Sequence, residues 1–190
     1  MGRIVVTEFM SLDGVVEDPG GAEDYRHGGW SFEFNRGDEG DKFKLDEANE
    51  SDALLLGRVT YEGFADAWPS REGEFADKFN QMPKYVVSST LSDPEWTNST
   101  VIDGDLPEEI TRLKDQIDGD IVVHGSPMLA QALIENDLVD ELRLMVFPVV
   151  LGDGKRLFGE TSDKKALTLV DSKAVGDGVS ILVYRPAAAE

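Results

Sequence analysis

The chain has 190 residues, 38 acidic against 18 basic, a formal net charge of −20, two histidines and no cysteine. The length fits one domain able to bury its own core, and the missing cysteines remove disulfides, thiolate nucleophiles and thiolate metal sites. The charge argues against nucleic acid, whose binding rests on Lys and Arg neutralising phosphates, and His27 and His124 lie too far apart in sequence to indicate a zinc site, so no metal is expected.

Arg3 to Phe9 is apolar-rich and reads as a first strand. Ser11-Leu12-Asp13-Gly14 opens an acidic, glycine-rich segment reaching about Gly40, a length that marks a functional loop or lid. Within it Trp30, Phe32 and Phe34 alternate, as an edge strand or a lid would. Lys42 to Glu50 can form a helix presenting Phe43, Leu45 and Ala48. Ala53 to Leu56 is a buried strand ended by Gly57-Arg58, and a short helix follows from about Thr60 to Ala67, with Tyr61, Phe64 and Trp68 at core spacing.

Lys84 to Val87 is another strand, running into Ser88-Ser89-Thr90. A helix from about Pro107 to Ile117 has Glu108 and Glu109 in its first turn and Lys114 in its last, matching the helix dipole. Ile121-Val122-Val123 is a β-branched strand broken by His124-Gly125. Ser126 can cap the next helix and Pro127 suits its first position, while Leu129, Ala130, Leu133 and Ile134 share a face and Asn136 can stop it. Glu141 to Phe147 is a strand closed by Pro148 and the turn Gly152-Asp153-Gly154. Leu167 to Ala174 and Val179 to Arg185 form a last hairpin across Gly176-Asp177-Gly178. Residues 1–186 thus read as one α/β domain, with 187–190 as a frayed tail. Helical crossovers imply a mainly parallel sheet covered on both faces, with the hairpin as an antiparallel edge.

Three strands end in glycine or hydroxyl turns: Gly57-Arg58-Val59-Thr60, Ser88-Ser89-Thr90 and Gly125-Ser126. Ligands of open α/β sheets bind beyond the carboxyl ends of the strands, where free helix N–H groups favour anions. Each turn singly is an N-cap or strand stop; together they can hold an extended polyanion, with Arg58 as a bidentate fork for a phosphate monoester. Neither G-x-G-x-x-G after a strand nor a P-loop occurs. Asp13 sits in a tight Asp-Gly turn after the first strand, either as a turn former or as a functional carboxylate. No run approaches the ~20 apolar residues of a membrane span, so a cytoplasmic, membrane-free protein is expected. The acids are spread along the chain, as a self-repelling solvated surface or a high-salt cytoplasm would both favour.

The segments MSLDG (10–14), LLLGRVTYEGF (54–64), YVVSSTL (85–91), VVHGSPMLAQALI (122–134) and LVDELRLMVFPVVLGDGKRLF (138–158) together resemble the dihydrofolate reductase-like superfamily. The closer branch is the reductase domain of bacterial riboflavin biosynthesis, the RibD C-terminal type, with its stand-alone relatives. The resemblance implies a three-layer fold around a mostly parallel sheet of about eight strands, with NADPH across the strand ends. In that arrangement Gly57, Arg58, Val59 and Thr60 meet the cofactor phosphates, and Ser88, Ser89 and Thr90 receive the adenosine 2′-phosphate side. Gly125 and Ser126, with Leu129 on the helix behind them, grip the pyrophosphate, and Thr7 and Val15 border the nicotinamide. Asp13 would contact the substrate or a proton-relay water.

The implied activity is hydride transfer to a pterin- or pyrimidine-like heterocycle, the riboflavin-pathway case being a phosphorylated ribosylaminopyrimidine. The alternative is a non-catalytic nucleotide-binding dimer. Related domains are commonly homodimers, and the apolar strands Leu142 to Phe147 and Val179 to Tyr184 fit a two-fold interface. Two departures stand out: Val15 replaces the basic residue usual after the Asp-Gly in riboflavin-pathway enzymes, and Glu39, Asp41, Asp46 and Glu47 compete for the acidic position on the helix after the lid.

Overall fold

The computed structural model describes residues 1–188. Eight strands form one sheet: β1 (Arg3–Ser11), β2 (Ser51–Gly57), β3 (Lys84–Val87), β4 (Ser99–Ile102), β5 (Asp120–His124), β6 (Glu141–Phe147), β7 (Leu167–Val175) and β8 (Val179–Pro186). Their order is β4-β3-β2-β5-β1-β6-β8-β7. The strands from β4 to β6 pair in parallel, and β8 pairs antiparallel with β6 and β7, as expected for a mostly parallel sheet with a terminal hairpin.

Five helices accompany the sheet among the described residues: α1 (Gly37–Glu50), α2 (Arg58–Ala67), α3 (Glu74–Gln81), α4 (Leu106–Gln116) and α5 (Pro127–Glu135). The continuous apolar runs of β2 and β5 are buried on both faces, which is what parallel strands under helical layers require. On one face Ile4, Val6, Leu55 and Val123 pack against Ile110 and Leu113 of α4 and Leu129 and Leu133 of α5. On the other, Leu54, Leu56 and Val86 meet Ala48 of α1, Tyr61 of α2 and Phe79 of α3.

The structure corrects several expectations. Trp30–Glu33 is one 3-10 turn, not a strand: Trp30 is buried with its indole N–H on the Glu17 carbonyl at 2.8 Å, while Phe32 is exposed. Helix α1 starts at Gly37 rather than Lys42; of the expected face Ala48 is buried, but Gly40, Lys44 and Glu47 are buried with it in place of Phe43 and Leu45. An ion pair between Lys44 and Glu47 lets charged side chains take that face. Helix α3 and strand β4 were not anticipated; α3 is short and β4 carries only four residues. Strands β6 and β8 lie inside the sheet, and the edge at that end is β7, which exposes Leu167, Leu169 and Val170; β4 forms the other edge. At the end of the chain, the Ala187 N–H bonds the Ala166 carbonyl at 2.9 Å, and 189–190 of the expected tail lie outside the described residues.

Lys84 fixes the start of β3. It is fully buried, its ammonium donates to the carbonyls of Asn80 (2.9 Å), Met82 (2.8 Å) and Thr97 (3.1 Å), and it lies over the Trp96 ring. Lys84→Met keeps the bulk but orphans three buried carbonyls, so it should lower stability by about 1–3 kcal/mol for each group that finds no new partner. Urea unfolding checks this: the midpoint falls at unchanged slope, and an unchanged midpoint contradicts it.

Candidate cofactor cleft

Strands β3, β2, β5, β1 and β6 stand side by side and parallel, so their carboxyl ends share one edge. The turns at Ser88–Thr90, Gly57–Thr60 and Gly125–Ser126 therefore follow one another along it. The last two are clasped together. The Gly57 N–H donates to the Ser126 hydroxyl at 2.9 Å, and the Ser126 N–H donates to the Thr60 hydroxyl at 2.9 Å. The two serine bonds run in opposite directions between the same turns, which fixes both the separation and the twist of the helices that follow.

Ser126 stands at the N-cap position of α5 but does not cap it, contrary to the sequence expectation. Its backbone is left-handed (φ 55, ψ 56), which turns the hydroxyl toward Gly57. Helix α2 likewise has no side-chain cap. Two helix N-termini with uncapped N–H groups are thus held together at one sheet edge, and their dipoles converge where an anion would sit. Gly125 has φ 56, and a Cβ there would lie 3.2 Å from Thr60 Cγ2 and 3.3 Å from its Oγ1. Only glycine lets the turn close on Thr60 without strain.

Around this clasp, Arg58 is half exposed and among the described residues reaches only Glu62, at 3.5 Å. Val59 is exposed, and Leu129 is buried in the core as support for the turn. Ser88 ties its own turn by accepting from the N–H groups of Thr90 (3.2 Å) and Leu91 (3.0 Å), while Ser89 and Thr90 are exposed. Thr7 and Val15 lie further along the edge and are buried; the Thr7 hydroxyl accepts from Lys44 at 2.9 Å, and the Val15 N–H donates to Ser11 at 2.9 Å. The edge brings together the expected residues of β1, β2, β3 and β5.

Asp13 is held firmly. Its carboxylate accepts from the Ser11 hydroxyl (2.6 Å) and from the N–H groups of Leu151 (3.1 Å) and Gly152 (2.8 Å). The Ser11 bond, then the two backbone donors, outweigh burial and bring its pKa to about 2. The ionised carboxylate therefore ties the loop after β1 to the loop after β6.

A charged cluster that sequence reading missed lies beneath α1. The Lys44 ammonium bonds Thr7 and Glu47, Arg143 reaches Glu47 (3.4 Å), Asp120 (3.4 Å) and Glu141 (2.7 Å), and Arg3 bonds Asp120 at 2.7 Å. Of the four competing acids of α1, Glu47 alone is buried. Burial would raise its pKa, but the cations Lys44 and Arg143 carry it below the ordinary value. The signal available was spacing: Gly40, Lys44, Glu47 and Ala48 form one helical stripe. His124 ends β5 opposite Thr7 and contacts the Phe79 ring edge-on at 5.0 Å. Burial first, then Lys44, push its pKa down to about 3, so its imidazole is neutral.

That shift has a stability consequence. His124 binds its proton near 6.5 when unfolded but only near 3 when folded, so its contribution is intact above 6.5 and is lost as pH falls toward 3. The His124→Gln variant should lose stability less steeply than wild type below pH 6.5, by up to about 1.4 kcal/mol per pH unit. Urea midpoints across this range measure it, and parallel curves contradict it.

A cavity of about 770 Å³ lies elsewhere, lined by Tyr61, Glu62, Asp66, Asn80, Asp93, Glu95 and Trp96 among others. Four carboxylates on its walls would repel a polyanion. Among the described residues no three His, Asp or Glu side chains are grouped as a metal would need, and no helix is long and apolar enough to cross a membrane.

The chain is similar to known proteins over nearly its whole length. Two Bacillus subtilis (strain 168) proteins, the uncharacterized YyaP and YwjB, are 29% and 28% identical over 187 and 183 residues, covering 96% of this chain in both cases and 94% and 98% of the relatives. A Shewanella sp. PV-4 structure ascribed to riboflavin biosynthesis superposes with TM-score 0.79 at 22% identity, covering 98% of this chain and 99% of that one. A pyrimidine reductase-like protein from Corynebacterium diphtheriae gives TM-score 0.65 at 13% identity, over 98% of this chain and 92% of that one. Acinetobacter baumannii RibD gives 0.67 at 15% identity, over 99% of this chain and 59% of its own. Residues 3–181 match the RibD C-terminal domain, and the chain belongs to that family.

Proposed function

We propose that the chain is a cytoplasmic NADPH-dependent reductase acting on a pterin- or pyrimidine-like heterocycle. The observation that carries this reading is the clasp of Gly57, Thr60 and Ser126, which holds two uncapped helix N-termini at the carboxyl edge of the sheet. The residues fit a dinucleotide: Gly125 admits close backbone approach, and free N–H groups of α2 and α5 suit a pyrophosphate. Arg58 with Ser88, Ser89 and Thr90 offers charged and hydroxyl donors to a 2′-phosphate. Bound there, the cofactor supplies the hydride, and the protein supplies position and electrostatics.

Thr7 and Val15 border the reacting end, and Asp13 shapes it through Gly152 as an acceptor that stays ionised at ordinary pH. An uncharged Val15 favours a heterocycle recognised without a phosphate at that position. Glu47, paired with Lys44 under the sheet, is the ionised acid of α1 placed closest to Thr7 through that lysine.

Fluorescence titration tests the cofactor assignment. Wild type should bind NADPH more tightly than NADH, and Arg58→Ala should reduce that preference by about 1–3 kcal/mol. Gly125→Val should abolish binding while circular dichroism stays near native, because the added side chain meets Thr60. Single-turnover oxidation of bound NADPH across pterins and pyrimidines then identifies the substrate class. Equal affinity for the two nucleotides, or normal binding by Gly125→Val, contradicts the assignment.

We also assign a two-fold homodimer, with the exposed apolar edge of β7 as its seam. Light scattering at micromolar concentration should give twice the chain mass; a monomer-sized particle contradicts this.

A further inference from the structure

Glu8 is an unexplained group. It sits in the carboxyl half of β1, 4% exposed, and its Oε1 has no hydrogen-bond partner among the described residues. Strand alternation places it on the face of Ile4 and Val6, the side covered by α4 and α5, and it pairs in register with Leu144. Val16, Leu129 and Leu157 belong to the same apolar cluster. Its neighbour Thr7 is opposite His124, which brings Glu8 beside the Gly125 N–H at the anion turn.

Burial outweighs the two groups that favour a carboxylate here, Lys44 and the Gly125 N–H. The charged groups that act on it are Lys44 and Glu47 of α1, Glu23 of the loop after β1, and the Gly125 N–H. Lys44 is already committed to Thr7 and Glu47 on the other face of β1, and Glu23 and Glu47 repel a charge on Glu8. Burial therefore dominates and holds its pKa well above the ordinary carboxyl value. A leucine would pack better in such surroundings, and buried polar atoms without partners are costly. A group that breaks the local rule beside a ligand turn is the pattern of a functional residue.

We propose that Glu8 is a binding residue of the cleft, whose free carboxyl oxygen meets an uncharged polar group of the bound dinucleotide beside Gly125–Ser126. This rests on the cofactor reading above. A proton on Glu8 removes a negative charge next to the cofactor phosphates and gives the cleft both a donor and an acceptor. An ionised Glu8 would repel the ligand at short range with little water to screen it. Cofactor binding and Glu8 protonation thus favour one another, and binding at alkaline pH takes up a proton.

Isothermal calorimetry with NADP⁺, which survives the acid end of the range, tests this between pH 6 and 9. Titrations in buffers of different ionisation enthalpy count protons. Wild-type affinity should fall by about tenfold or more across the range, with proton uptake at the alkaline end. Glu8→Gln should bind within about threefold of wild type at pH 6, with no such fall and no such uptake. Glu8→Leu, which keeps the fold by circular dichroism, should bind about tenfold more weakly at pH 6 for want of the polar partner. The Glu8→Gln curve also subtracts the titration of the ligand's own phosphate. If wild type binds NADP⁺ with the same affinity, pH profile and proton count as both variants, the role of Glu8 is overturned while the cofactor reading stands. If wild type binds no NADP⁺ at any pH, both fall together.

Discussion

Two hydrogen bonds between Gly57, Ser126 and Thr60 decide what the carboxyl edge of this sheet can do. A serine at the start of a helix ordinarily satisfies one of that helix's own N–H groups. Ser126 is turned by its left-handed backbone toward the neighbouring turn instead, so α5 keeps its first N–H groups free and α2 does the same. The clasp exchanges local helix stability for a preorganised pair of positive helix ends. Anion recognition in a protein of formal charge −20 depends on such short-range donors, because the long-range field works against any polyanion.

The two faces of β1 handle buried charge in opposite ways. Under α1, Lys44, Glu47, Arg143, Asp120, Glu141 and Arg3 form a connected set in which acids and bases alternate, so each charge is met by its opposite. Such a set adds specificity to the packing of α1 on the sheet as much as stability. Across the strand, the Glu8 Oε1 has no partner among the described residues, and burial pushes its pKa up. Burial also keeps His124 neutral, which leaves Lys44 as the charged donor on Thr7. Around Thr7, burial thus acts on both titratable neighbours, raising the Glu8 pKa and lowering that of His124.

What the sequence made legible was the part governed by local rules. The β-branched runs of β2 and β5, the acidic first turn of α4 and the Gly-Asp-Gly hairpin each announce themselves within a few residues, and the three turns share an edge because the strands between crossovers are parallel. Helix α3 and strand β4 escaped because Glu74–Gln81 shows only two buried residues and Ser99–Ile102 only one. The face of α1 was misread because Lys44 and Glu47 are hydrophilic by type and buried by pairing, a fact of two side chains and not of either one. Ser126 was read as a cap because its left-handed backbone comes from Thr60, 66 residues earlier in the chain. Glu8 looked like an ordinary strand residue, and only the absence of a partner in the folded protein sets it apart.

The clasped ends of α2 and α5 are the proposed anion site. Backbone amide NMR during titration with NADP⁺ tests it most directly. The largest shifts should fall on Arg58, Val59, Thr60, Ser126, Met128 and Leu129, the turns and first helical positions beside the clasp. Shifts centred instead on Asp93, Glu95 and Trp96, in the large acidic cavity, would contradict the account.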